Sequence, residues 1–173
     1  MTALLQADRL RGLSLQEVFA LAVSDERTAV AVPLSVTPRA EGLGFSSNFE
    51  PSAREACEHA VDAVRALGAR LDGGLYFYAP SHIRAVRGPS LGLGAALALL
   101  RRAGTLRPGT RLWATGEITP FGALLPVAGL AVKLDLEEAR RGRVVLPAHS
   151  GAPAALHALE TATLAEALSC LNS

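Results

Sequence analysis

Lys133 is the only lysine among 17 basic residues; every other one is arginine. On a solvated surface the two cations are interchangeable. Arg keeps its proton under any protein condition, whereas Lys gives it up once burial disfavours the charged form. A lone Lys in an arginine-saturated chain is therefore a candidate general base or amine nucleophile, against the simpler reading of one surviving surface cation. Its neighbours in Val127-Ala128-Gly129-Leu130-Ala131-Val132-Lys133-Leu134 are apolar. On a helix it shares a face with Gly129, Leu130, Leu136 and Glu137. An ammonium drawn toward a dry face is pushed to its neutral form, and a neutral amine can take the proton from a serine hydroxyl.

Such a hydroxyl is found in Arg87-Gly88-Pro89-Ser90-Leu91-Gly92. Gly88 and Pro89 force a tight, exposed turn, and an apolar helix begins at once behind it. A hydroxyl there meets free backbone N–H groups and the positive end of the helix dipole, both of which favour negative charge on a nearby oxygen. That suits a nucleophile and a tetrahedral oxyanion. The same position is one where Ser commonly serves only as a helix N-cap. His59, His82, His149 and His157 are scattered and read as surface or supporting residues, so no Asp-His pair completes a triad.

The elements that must position these groups follow from the pattern. Glu17 to Val23 and Thr28 to Val36 flank the polar Ser24-Asp25-Glu26-Arg27, a β-hairpin signal. Pro38 to Phe49 reads as loop. Ser52 with Glu55 reads as a capping box opening a helix whose apolar positions run from Ala56 to Leu67, with Gly68 near its end. Leu75 to Ala79 is a strand. Ser90 opens a helix to about Leu100. Thr110 to Ala114 is a strand, and Ile118 to Leu125 is a turn between short strands. Leu130 to Arg140 is helical, Arg143 to Pro147 is a buried strand, and Ala152 to Leu171 holds one or two helices with a short strand near Ala162. Hairpin, helices and interleaved strands together indicate an α+β or mixed α/β domain.

At 173 residues, half of them hydrophobic, one domain spanning 1–173 is the natural expectation, with a hairpin and loop over 1–50 and a catalytic core over 51–173. The net charge of +1 argues against nucleic-acid or membrane-surface binding driven by bulk charge. Cys57 and Cys170 fit no metal spacing and read as buried free thiols. Met1 to Asp8 lacks the pattern of a signal peptide. The apolar stretch Leu91 to Leu100 is far short of the roughly 20 residues that span a bilayer. A soluble, cytoplasmic protein without metal or cofactor is expected.

Three ordered motifs strongly resemble the proteolytic domain of the Lon proteases. They are Gly88-Pro89-Ser90-Leu91-Gly92, then Ala114-Thr115-Gly116-Glu117-Ile118-Thr119, then Gly122-Ala123-Leu124-Leu125-Pro126-Val127-Ala128-Gly129-Leu130-Ala131-Val132-Lys133. The likeness is clear from about Gly88 to Pro147, and a fainter one reaches back to Pro51-Ser52-Ala53-Arg54-Glu55. The resemblance implies an α+β fold with a mixed sheet packed with helices, similar to domain 2 of ribosomal protein S5. It implies peptide hydrolysis by a Ser-Lys dyad, with Ser90 as nucleophile and Lys133 as general base. Thr115 orients the lysine amine, and Gly88, Pro89, Glu117 and Arg87 stand around the site. It further implies unfolded proteins or peptides as substrates and assembly into hexameric rings.

The chain departs from that pattern in several places. It has no P-loop G-x-x-x-x-G-K-S/T, so ATP-independent action is expected. Arg87 stands where the family often has an acidic residue; it should depress the Lys133 pKa further, and either favour acidic substrate groups or block the site. Leu91 replaces a usual Ala and should narrow the cleft. Phe121 in the hairpin offers an exposed apolar contact. A catalytically silent, ring-forming Lon-like module is the main rival, and a peptidase subunit fed by a separate ATPase is another. The stretch Pro89 to Ala96 is also similar to the phosphate loop of galactokinase-type kinases, but Ala95 and Ala96 replace the serines that would meet phosphate.

Overall fold

Val18, Ala20, Val32 and Leu34 alternate with Phe19, Leu21 and Ala31, the period of two that sends successive side chains to opposite faces of a sheet. The computed structural model, which describes residues 18–25, 28–109, 111–137 and 139–173, has both faces covered. Strands β1 (Val18–Asp25) and β2 (Thr28–Arg39) form the expected antiparallel hairpin, with Val18 opposite Leu34 and Asp25 opposite Thr28. Glu17, the turn residues Glu26 and Arg27, and the segment Met1 to Asp8 lie outside the described residues.

The segment read as loop from Pro38 to Phe49 is partly strand. β2 continues to Arg39 because Ser35 to Arg39 pair with β4 (Gly74–Tyr78). β3 (Leu43–Phe45) adds in parallel to the far side of β4. These are long-range ladders that no local pattern announces. β5 (Leu112–Ala114), β8 (Arg143–Pro147) and β9 (Ala158–Thr161) complete a mixed seven-stranded sheet of order β3-β4-β2-β1-β5-β8-β9. The pairings make β2 alone run against the rest. The hairpin thus forms the centre of the sheet. Two short strands, β6 (Glu117–Ile118) and β7 (Leu124–Leu125), make the expected separate antiparallel pair.

Helices α1 (Pro51–Ala66) and α2 (Gly92–Arg102) cover one face. α2 is buried from Gly92 to Leu100, so the apolar stretch that is too short to span a bilayer is a core helix packed all round. Among the described residues no helix is long and apolar enough to cross a membrane. On the opposite face Leu21, Trp113, Val144 and Leu146 pack with Leu134 and Ala139. Phe19 stacks on Trp113 there, with ring centroids 5.3 Å apart. The result is an α+β arrangement with a mixed sheet packed between helices.

Of three local expectations two are corrected, and the third, a short strand and one helix in the tail, holds. Glu50 occupies the N-cap position of α1 without a side-chain cap bond, Pro51 opens its first turn, and Ser52 caps nothing; its hydroxyl serves a distant backbone amide instead. The helix expected from Leu130 to Arg140 is a five-residue α3 (Leu130–Leu134) followed by a separate 3-10 turn, Ala139–Arg141. The chain after Pro147 gives β9 and one helix, α4 (Leu164–Asn172), whose Thr163 and Glu166 form a capping box.

Candidate active site

Ser90 does not cap a helix. It lies inside a 3-10 turn, Pro89–Leu91, that runs directly into α2, and neither element has a side-chain cap. The turn begins at Gly88, whose φ of 87° is a backbone conformation that L side chains rarely adopt. The Gly88 N–H donates to Ser52 Oγ at 2.9 Å, tying the turn to the start of α1. The Gly116 N–H donates to the Ser90 carbonyl at 3.0 Å, and the Leu93 N–H returns a bond to the Gly116 carbonyl at 3.0 Å. At Gly92 a Cβ would lie 2.7 Å from Ile118 Cγ2, so the Ser90 turn sits flush against β6. Through these bonds Ser90 is locked beside the residue that follows Thr115.

Thr115 extends the carboxyl end of β5, where its N–H donates to the Val145 carbonyl at 3.3 Å. Its side chain is fully buried, and its Oγ1 accepts a hydrogen bond from Lys133 Nζ at 3.0 Å. Lys133 arrives on α3, which starts at Gly129 with φ 67°; a Cβ there would meet Val23 Cγ2 at 2.9 Å. Glycine thus lets α3 press on β1 and carry Lys133 inward, to 2 % exposure. Among the described residues no carboxylate lies within ion-pair distance of Nζ. Burial alone pushes the ammonium pKa down from 10.5 to about 8.

Four polar or charged side chains are buried among the described residues: Ser90, Thr115, Lys133 and Thr161. Three of them are the residues the motifs single out. Lys133 is hydrogen-bonded to Thr115, and no hydrogen bond joins it to Ser90. A chain of one side-chain bond and one backbone bond, Lys133 to Thr115 and Gly116 to Ser90, holds the pair on a common support. Glu117 opens β6, half-buried, opposite Leu125.

Other expectations fall. Arg87 does not act on Lys133, whose shift comes from burial; its guanidinium is 3.6 Å from Glu50. Leu91 does not narrow a cleft, because its side chain is 2 % exposed and belongs to the core. Cys170 is exposed; only Cys57 is buried, where desolvation and then Glu58 hold its thiol up in pKa and inert. Phe121 is 92 % exposed, as its place in the hairpin suggested. His82, His149 and His157 are exposed, and His59 is half-buried on α1.

The motifs missed the frame around the Ser90 turn. Asn48 Nδ2 donates to the carbonyls of Pro80 and Ile83 at 3.2 and 2.9 Å, and Ser46 Oγ donates to Asn48 Oδ1 at 2.7 Å. The Val86 N–H donates to the Asn48 carbonyl at 2.8 Å. The polar run Ser46-Ser47-Asn48 was the only signal, and alone it reads as loop. A groove of about 900 Å³ lies between α3 and residues 150–156, walled by Leu130, Ala131, Leu134 and Leu156. Lys133 does not line it, so it stands apart from the buried Thr115–Lys133 pair.

Compared with models of known protein families the chain matches none, and a comparison with curated proteins finds no match.

Proposed function

We propose that this protein is a Lon-like serine endopeptidase that cleaves unstructured peptides or already unfolded proteins with Ser90 and Lys133, without hydrolysing ATP itself. The observation that carries the reading is the joint burial of Ser90, Thr115 and Lys133, with the lysine desolvated and unpaired with any described carboxylate. Burying an ammonium without a counter-ion is costly, and a cost of that kind kept at one place is a mark of a tuned catalytic group.

In this mechanism neutral Lys133 removes the Ser90 hydroxyl proton, and the alkoxide attacks the scissile carbonyl. Backbone N–H groups near Ser90 stabilise the oxyanion, a contribution of roughly 3–4 kcal/mol per donor in a well-studied serine protease. Lys133 then gives its proton to the leaving amine. Water, deprotonated by the same amine, clears the acyl-enzyme and restores the Ser90 hydroxyl. Thr115 holds the amine in place between these steps. By the same resemblance the protein works as a homo-oligomer, in the manner of the Lon rings.

The absence of a direct Ser90–Lys133 bond favours two further readings: a site that closes only when substrate, another copy or an ATPase partner docks, and a silent module. Hydrolysis of unfolded casein by wild type and Ser90→Ala, without ATP, separates these. Cleavage that disappears in Ser90→Ala is the expected result. A folded, assembled wild type that leaves casein intact sinks the self-sufficient peptidase.

A further inference from the structure

We propose that Arg87 selects substrates carrying a carboxylate close to the scissile bond. This rests on the peptidase reading and names the substrate class of that same site. The loop from Ala79 to Ser90 carries His82, Arg84 and Arg87, all exposed, and no acidic residue. Indeed no Asp or Glu occurs between Asp72 and Glu117. The chain leading into Ser90 therefore carries arginines and no carboxylate of its own.

Of these arginines Arg87 is fixed nearest the chemistry. Two residues, Gly88 and Pro89, separate it from Ser90, so their Cα atoms lie at most about 11 Å apart, within three residues of an extended substrate. Its backbone is held on both sides. Before it, the Val86 N–H donates to Asn48 and the Val86 carbonyl accepts from the Glu50 N–H at 2.9 Å; after it, the Gly88 N–H donates to Ser52. The guanidinium is still 56 % exposed, and it faces Glu50 at 3.6 Å, with Glu50 itself 44 % exposed. A pair that loose and that wet contributes little to stability. Glu50 instead stands where a substrate carboxylate would bind, and a carboxylate presented to the planar fork gains paired, charge-assisted hydrogen bonds. Binding then exchanges one weak ion pair for a stronger one, with no buried charge created.

The test compares a pair of fluorogenic peptides that differ only in Glu against Gln within three residues of the cleaved bond, and a second pair that ends within that distance with a free or amidated C-terminus. For wild type, kcat/KM is expected to favour the Glu peptide by roughly threefold to tenfold, less at high salt. The ratio should fall to about one in Arg87→Gln and below one in Arg87→Glu. In Glu50→Gln, which frees the guanidinium, it should rise. A preference confined to the free C-terminus identifies the carboxylate as a chain end and supports the same assignment. A wild-type ratio near one in both pairs, or a preference unmoved in Arg87→Gln, overturns it; so does a loss that strikes both peptides of a pair equally, since that is a structural role. If no peptide is cleaved at all, the peptidase reading itself falls, an outcome distinct from cleavage without preference.

Discussion

The buried ammonium of Lys133 works against the stability of the fold. In the unfolded chain its amine titrates near 10.5, and in the folded chain near 8, because burial penalises the ammonium. Between those values the unfolded chain holds a proton that the folded chain has lost. Stability should therefore rise as pH increases from about 8 to about 10.5, with the penalty fully in force below 8. That penalty is on the order of 3 kcal/mol. Lys133→Met removes the charge and keeps the volume, at the cost of an unpaired Thr115 hydroxyl. It should raise stability at neutral pH by roughly 1–2 kcal/mol and flatten the alkaline rise, both read from denaturant melts. A destabilised variant would contradict the desolvated lysine. Activity should climb through about pH 8 as the amine becomes neutral, and Lys133→Arg should abolish it; a flat profile there counts against Lys133 as the base.

At the scale of elements, the site depends on two short pieces that have little stability of their own. α3 has five residues, too few to persist without the contacts that hold it. Its position is set by Gly129, so Gly129→Ala should cost about 1–2 kcal/mol from the left-handed backbone alone. It should lower activity further than that loss explains, because Lys133 moves with α3. The Ser90 turn depends on Asn48, which gathers carbonyls from a loop some thirty residues on. Asn48→Ala should cost roughly 1–3 kcal/mol, with kcat falling before the melting curve shifts far; an activity unchanged in either variant would mean that these supports do not position the dyad.

For the whole molecule, Phe121 is the outlier. A Phe at 92 % exposure on a hairpin tip, with Leu125 also exposed, is ill-suited to water. A second copy of the chain is the occupant that the Lon resemblance proposes. Phe121→Asp should shift the protein toward smaller species in sedimentation while leaving the fold intact. An unchanged distribution would show that self-association does not use the hairpin.

The sequence alone determined what is local or chemically rare: the solitary lysine, the Gly88-Pro89-Ser90 turn, the β1–β2 hairpin and the apolar α2. Each is written in residue type or short-range period, so it survives without knowledge of the rest of the chain. Tertiary structure decided which of them meet. Thr115 finds Lys133 across α3, and Gly116 finds Ser90 across the start of α2. Neither Ser52's turn from cap to anchor nor the strand hidden in Pro38 to Phe49 was legible, because both depend on partners dozens of residues away. Likewise Arg87 was expected to act on the lysine through sequence proximity to Ser90. Its charge is instead turned to Glu50, and the shift of Lys133 comes from the dry packing around it, a property of three-dimensional burial that no linear spacing contains.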